Sequence, residues 1–241
     1  MYIQRLARTM ARLLHGDPEH PGLAANADYF DTFDQNIPLA ECEFTVVDTE
    51  LTGLNPHVDE IVSIGAVRIR GLRIEMGDCF YSLVHPRVMT KTSILIHHIT
   101  PDEVLNSPRL FKVLPEFIDY AGRSLLVGHH IGLDVSFLGL ACRKIYNAPL
   151  PNHCLDTMRL AQVYEADLWE NYYDQYDLNV SYNLADLTHR YDLPVFDHHN
   201  ALEDALQTAY LFLFLVKKLK KGGIVTLRDL FLAGRSWRWY F

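Results

Sequence analysis

Apolar and polar positions divide the chain into alternating and helical stretches. Residues 44–48, 60–69 and 73–84 are rich in β-branched and aromatic side chains and read as three extended runs, with Gly71 at the turn between the last two. In TPDEVLNSPRLFKVLPEFIDYAG, Thr100 is a helix N-cap with Glu103 three residues on, and Pro108 breaks or kinks the helical pattern. SLLVGHH, from Ser124, is a short apolar strand. LDVSFLGLACRKIYN, CLDTMRLAQVYEA, YNLADLTHRY and NALEDALQTAYLFLFLVKKL then repeat apolar residues at helical spacing. The predicted order is β-β-β-α-β-α-α-α-α, antiparallel strands first and a later strand returning through a helix. That is a mixed α/β layer fold.

The ends read differently. MYIQRLARTMARLLHG carries apolar residues at Ile3, Leu6, Met10, Leu13 and Leu14, an amphipathic helix without the continuous apolar core of a secretory signal. Residues 15–41 are polar, with Pro and Gly, and read as a connecting arm. The expected division is therefore 1–41 for helix and arm, 42–216 for the domain and 217–241 for a C-terminal extension. In that extension TLRDLF, from Thr226, reads as core packing, and the final residues are aromatic and basic.

Composition narrows the class. The 241 residues are 49% hydrophobic and 22% charged, as suits one domain with a sizeable core. The net charge of −8 argues against a general, salt-driven grip on nucleic-acid backbones. It does not exclude a nuclease, because active-site carboxylates are neutralised once they bind metal. Cys42, Cys79, Cys142 and Cys154 form no CxxC pair, so a zinc or disulfide framework is not expected and a reducing cytoplasm is the simplest setting. YLFLFLV is too short to span a bilayer, and no membrane partner is expected.

Candidate chemistry starts at the far end of the first strand. Side chains two apart on a strand point the same way, so Asp48 and Glu50 should stand side by side at the edge of a core. Like charges at that distance raise each other's pKa, and something should offset the repulsion. Asp134 comes after the SLLVGHH strand and opens a helix. Asp204 lies in the first turns of another, five residues after His199, roughly 7.5 Å along the axis. Singly, a lone Asp at a helix start is most often a cap or dipole partner, and a lone His a surface or hydrogen-bonded residue. Four carboxylates and a histidine converging would require a cation, and oxygen ligands favour Mg²⁺ or Mn²⁺ over zinc.

Three stretches carry a resemblance. VVDTELTGL, VGHHIGLDVSFL and HHNALEDA are similar to the motifs of the DEDDh 3′→5′ exonucleases, as are HHIT, CLDTMRLA and NLADLTHRYDLPV between them. That family includes the proofreading epsilon subunit of DNA polymerase III, oligoribonuclease and ribonuclease T. The resemblance covers about residues 41–216 and implies a ribonuclease H-like mixed sheet with flanking helices. It implies 3′→5′ exonucleolysis to nucleoside 5′-monophosphates with two Mg²⁺ or Mn²⁺ ions. By position, Asp48 would bridge both ions, Glu50 and Asp204 would complete the first site, and Asp134 would hold the second through water. His199 would be the general base. Leu51, Thr52, Leu54 and His97 fall where the family contacts the substrate, Leu54 on the terminal base and His97 on the terminal nucleotide.

The sequence departs from the family at Leu51, where threonine is common, at His130, where asparagine is usual, at Leu133, where phenylalanine is frequent, and at Thr92, where the epsilon subunit has glutamate. These positions bear on substrate preference and leave the ligands intact. The implied substrate is a single-stranded 3′ end of DNA, in proofreading or repair with a polymerase or repair partner. RNA trimming remains the alternative, since the choice depends on contacts to the 2′-OH. A catalytically inactive polymerase-binding module is disfavoured by the full set of acids and histidine. Metal storage through the paired histidines at 97, 129 and 198 is disfavoured by the lack of a compact ligand motif.

Overall fold

Five strands pair in the order β3-β2-β1-β4-β5, where β1 is Phe44–Leu51, β2 Ile61–Arg70, β3 Arg73–Leu83, β4 Leu125–Gly128 and β5 Cys154–Asp156. The computed structural model describes residues 20–89, 91–168, 181–196 and 200–233. The expected N-terminal helix, His198, His199, the side chain of Thr92 and the tail from residue 234 lie outside what is described.

The three N-terminal strands are antiparallel, while β4 pairs parallel to β1 and β5 parallel to β4. Gly71 and Leu72, both with φ of +57°, form the tight β2–β3 turn, the backbone hand that matches strand twist in a two-residue hairpin. β2 is buried along almost its whole length, which explains its largely apolar sequence, and β1 is buried over its first half; β3 is the half-exposed edge.

Two cores sandwich the sheet. On one face Phe44, Val46, Val67 and Ile69 meet Phe212, Leu215 and Leu219 of a long helix, Ala201–Leu219. Phe44 and Phe212 cross edge to face at 4.9 Å, and each buried ring is worth about 1.5–3 kcal/mol in apolar transfer. On the other face Val47, Ile64, Ala66 and Leu126 meet the helices Leu110–Ala121 and Gly132–Tyr146. The mixed, helix-flanked sheet is the expected fold class.

Numbered in chain order, the helices are α1 (Pro21–Asp31), α2 (Lys91–His97), α3 (Pro101–Val104), α4 (Leu110–Ala121), α5 (Gly132–Tyr146), α6 (Thr157–Leu168), α7 (Leu184–Arg190), α8 (Ala201–Leu219) and α9 (Leu227–Ala233). α3 carries the expected capping box of Thr100 and Glu103. Three local readings change. The arm contains α1, started by Pro21 and the His20 side chain, which accepts from the Gly22 amide; Asn, Asp and Gly hide it from propensity, but it buries Leu23 and Phe30. α2 occupies a stretch to which the sequence pattern assigns no element. CLDTMRLAQVYEA is not one helix: Cys154–Asp156 is a fifth strand, and Asp156 then accepts from the Met158 amide as α6 begins.

The two extensions meet. Pro38 bridges Thr226, the Leu39 amide donates to the Val225 carbonyl, and Leu227 and Leu230 are fully buried, so TLRDLF is core packing as expected.

Candidate active site

The carboxyl ends of the parallel strands β1, β4 and β5 open at one edge of the sheet, where open α/β sheets place their ligand sites. Alternation along β1 puts Phe44 and Val46 in the α8-side core, and Asp48 and Glu50 continue that face toward the N-terminus of α8. Asn200 caps α8 through the Leu202 amide, and Asp204 lies in its first turn. Carboxylate oxygens of Asp48, Glu50 and Asp204 lie within 4.8 Å of one another.

Gly65 makes this approach possible. It sits opposite Asp48 in the β1–β2 register, and a methyl group there would collide with the backbone of Ala201 and Leu202. The start of α8 therefore lies directly on β2, which sets Asp204 against Asp48. A glycine inside a strand is the sequence signal of such an approach, and IVSIGAVRI carries it in the middle of an apolar run.

Asp134 reaches the cluster from the other face, in the first turn of α5. It is buried, and the Thr49 hydroxyl donates to its Oδ1 at 2.6 Å. Thr49 stands between the two acids of β1 and so must point to the opposite face, a signal that sequence reading could have used. Asp134 stands outside the group of three close carboxylates, although its charge acts on both Asp48 and Glu50.

The cluster is electrostatically costly. Burial, then the charges of Asp134, Asp204 and Glu50, hold the Asp48 carboxyl well above the usual range. Burial and the charges of Asp204 and Asp134 push Glu50 up to about 7. Burial also pushes Asp134 up to about 7, against the opposing hydrogen bond from Thr49. The amide-rich starts of α5 and α8 offset part of this, at about 0.3–1 kcal/mol each. Among the described residues no lysine or arginine pairs with Asp48, Glu50 or Asp134. An all-oxygen set of this kind fits a hard divalent cation.

The remaining expected site residues are spread around this cluster. His199 lies outside the described residues. Leu51 ends β1 after a register shift and packs on the α4–α5 core. Thr52 is buried and closes the β1–β2 turn, its hydroxyl accepting from the Glu60 amide at 2.9 Å. Leu54 projects from the tip of that turn, 77% exposed. His97 ends α2, 1% exposed, and its Nδ1 accepts from the Ile99 amide at 3.0 Å. His130 occupies the left-handed region at φ +57°, a conformation in which asparagine and histidine are both enriched. Its amide donates to the buried Asp156, an acid that the sequence motifs do not single out. His129 uses both ring nitrogens inside the fold, on the Thr157 hydroxyl and the Tyr182 carbonyl; burial lowers its pKa to about 4 and keeps it neutral.

Comparison with known proteins gives concordant results. The exonuclease family model RNase_T matches residues 45–212. PolC-type DNA polymerase III of Thermotoga maritima is 35% identical over 193 residues, 80% of this chain and 13% of the polymerase. The enzyme of the same name from Caldanaerobacter subterraneus is 32% identical over 206 residues, 82% of this chain and 14% of that one. The chain thus spans only about an eighth of these relatives. Among solved structures, exonuclease X in complex with 5′-overhanging duplex DNA superposes with a TM-score of 0.58 at 24% identity, covering 79% of this chain and 99% of that one. E. coli exonuclease I in complex with a dT13 oligonucleotide gives a TM-score of 0.63 at 14% identity, covering 76% and 42%.

Proposed function

This chain belongs to the RNase_T exonuclease family, and we propose that it is a divalent-metal-dependent 3′→5′ exonuclease that releases nucleoside 5′-monophosphates from DNA ends. The observation that carries the reading is the convergence of Asp48, Glu50 and Asp204 within 4.8 Å, with Asp134 beside them. Asp48 would hold two Mg²⁺ or Mn²⁺ ions, Glu50 and Asp204 the first of them, and Asp134 the second through water. Bound there, such ions supply the Lewis acidity that activates water and stabilises the leaving 3′-oxygen.

The chain's own groups complete the reaction. His199 accepts the proton of the attacking water, the general-base task for which histidine is the side chain most often used. Water oxygen bonds to phosphorus, the P–O3′ bond breaks, and the 3′-oxygen leaves as an alkoxide that takes a proton from solvent to become the 3′-hydroxyl of the shortened strand. Leu54 packs on the terminal base, and His97, Leu51 and Thr52 shape the pocket for that nucleotide. A DNA substrate is supported by the PolC-type relatives, in which a matching segment is part of a DNA polymerase. The same context suggests a polymerase or repair partner. Among the described residues no helix is long and apolar enough to cross a membrane. The cysteine pattern favours work in the cytoplasm.

The test is a 5′-labelled single strand incubated with Mg²⁺. A ladder shortening from the 3′ end with 5′-monophosphate products, abolished by EDTA, is expected. Cleavage that persists in EDTA, or products bearing 3′-phosphates, would overturn the assignment. Parallel DNA and RNA strands of one sequence separate the two substrates.

A further inference from the structure

A cavity of about 270 Å³ lies behind the β1–β2 turn, away from the carboxylates. Its walls are residues 56–61 of that turn, residues 84–87 after β3, the start of α4 and one stripe of α5. Phe137 and Leu140 form part of an apolar floor, and Val58, 73% exposed, stands at the edge. Arg87, Arg109 and Lys144 surround it.

The acids on this rim are already engaged. Glu60 takes the Arg87 guanidinium at 2.9 Å, and Asp59 accepts from the Asn55 amide at 2.9 Å. Among the described residues, no carboxylate pairs with Arg109 or Lys144. In a chain of net charge −8, two exposed cations beside an apolar wall are suited to a ligand with both phosphate and base surface.

Helix α5 links the wall of the cavity to the active site. Asp134 is in the first turn of that helix, Phe137 is one turn on, and Lys144 is ten residues on, about 15 Å along the axis. At about 3.4 Å per stacked nucleotide, that distance is roughly four nucleotides. Deepening the exonuclease reading on which it rests, we propose that this cavity is a second subsite for the single strand. It seats the strand about four nucleotides from the scissile bond, its phosphates against Arg109 and Lys144 and a base on the apolar wall.

The test is fluorescence anisotropy of a labelled twelve-residue oligothymidylate in EDTA, which removes any contact made through the catalytic ions. Both cations are exposed, so the double variant Arg109→Gln, Lys144→Gln should fold as wild type does. Losing two phosphate contacts should weaken binding roughly tenfold and reduce the slope of log Kd against log salt by about 1.4. A dinucleotide, too short to reach the cavity, should lose no affinity. Equal affinity and slope in wild type and variant would overturn the proposal and leave the cavity to another ligand class, such as an acidic peptide. If wild type shows the cation-dependent binding but releases no mononucleotide when Mg²⁺ is restored, the exonuclease reading falls and the subsite stands.

Discussion

The two ends of the β1–β2 strand pair hold carboxylates in opposite ways. At the N-terminal end of β1, Glu43 and Asp78 face Arg68 and Arg70 in four ion pairs of 2.9–3.6 Å. Arg68 is buried, lies over the Tyr120 ring at 4.4 Å, and donates to the Tyr120 carbonyl and the Thr45 hydroxyl. Two acids and two arginines balance, and the arrangement closes on itself. At the C-terminal end, Asp48, Glu50, Asp134 and Asp204 gather, and the first three hold their protons abnormally tightly. The fold pairs acids with arginines when the purpose is structural. At the other end it uses Gly65 and a capped helix to bring a further acid to those already present, which makes sense only if charge arrives from outside.

Exchanging loss between the two ends gives the largest effects. Asp48→Ala should reduce exonuclease activity by at least about 10³-fold, since it would remove the ligand proposed to be common to both ions, yet leave the fold intact or slightly more stable in EDTA because repulsion is relieved. Arg68→Ala should do the reverse. It leaves buried acceptors without a donor and Glu43 facing Asp78, a loss of about 2–4 kcal/mol in stability, with kcat nearly preserved. Denaturant melts beside single-strand assays of both variants check this. If Asp48→Ala is unfolded, that acid belongs with the structural cluster after all.

Next in size is His199→Ala, expected to lower kcat by roughly 10²–10⁴ with ion binding unchanged, and to remove the low-pH limb of the rate profile. His198→Ala should cost far less. The opposite ranking would move the third motif by one residue.

Smaller still is Thr49→Val, which takes the hydroxyl from Asp134 without changing shape. A support of this kind is usually worth about 10–100-fold in metal affinity or activity, and Thr49→Ser should restore most of it. No change in the Mn²⁺ concentration needed for half-maximal rate would show that Asp134 is positioned by α5 alone.

The unpaired end should make stability depend on pH. Glu50 and Asp134 titrate near 7 in the folded protein and at about 3.9–4.3 when unfolded. Between those values the folded state binds more protons, so stability is greatest below about pH 4 from these groups and falls as pH rises through 7. In EDTA the Tm should therefore drop between pH 5 and 8. Saturating Mg²⁺ at pH 8 should restore about 2.7 kcal/mol at a hundredfold excess over Kd. A flat profile in EDTA would mean that the acids are less strained than their packing implies.

Much of this contrast is legible in the sequence. The strand period puts Asp48 and Glu50 on one face, helix signals put Asp134 and Asp204 at N-terminal turns, and apolar runs mark the sheet. Local pattern carries such information because period and capping are local. The features it misses are set by packing between distant segments. α1 has poor intrinsic propensity and is held by burial of Leu23 and Phe30. β5 is three residues long, too short for a period, and exists because Leu126 and Val127 pair with Cys154 and Leu155. Thr49 and Gly65 matter through partners 85 residues away in one case and at the start of α8 in the other. The Arg68 cluster is invisible in the sequence for the same reason.

The acid end of β1 should receive divalent cations. The most direct test is the titration of Mn²⁺ into the protein at pH 8, monitored by the electron paramagnetic resonance of free ion, for wild type, Asp48→Asn and Asp78→Asn. Up to two tightly held ions per chain are expected in wild type and in Asp78→Asn, and none held tightly in Asp48→Asn. Equal binding by wild type and Asp48→Asn would contradict it.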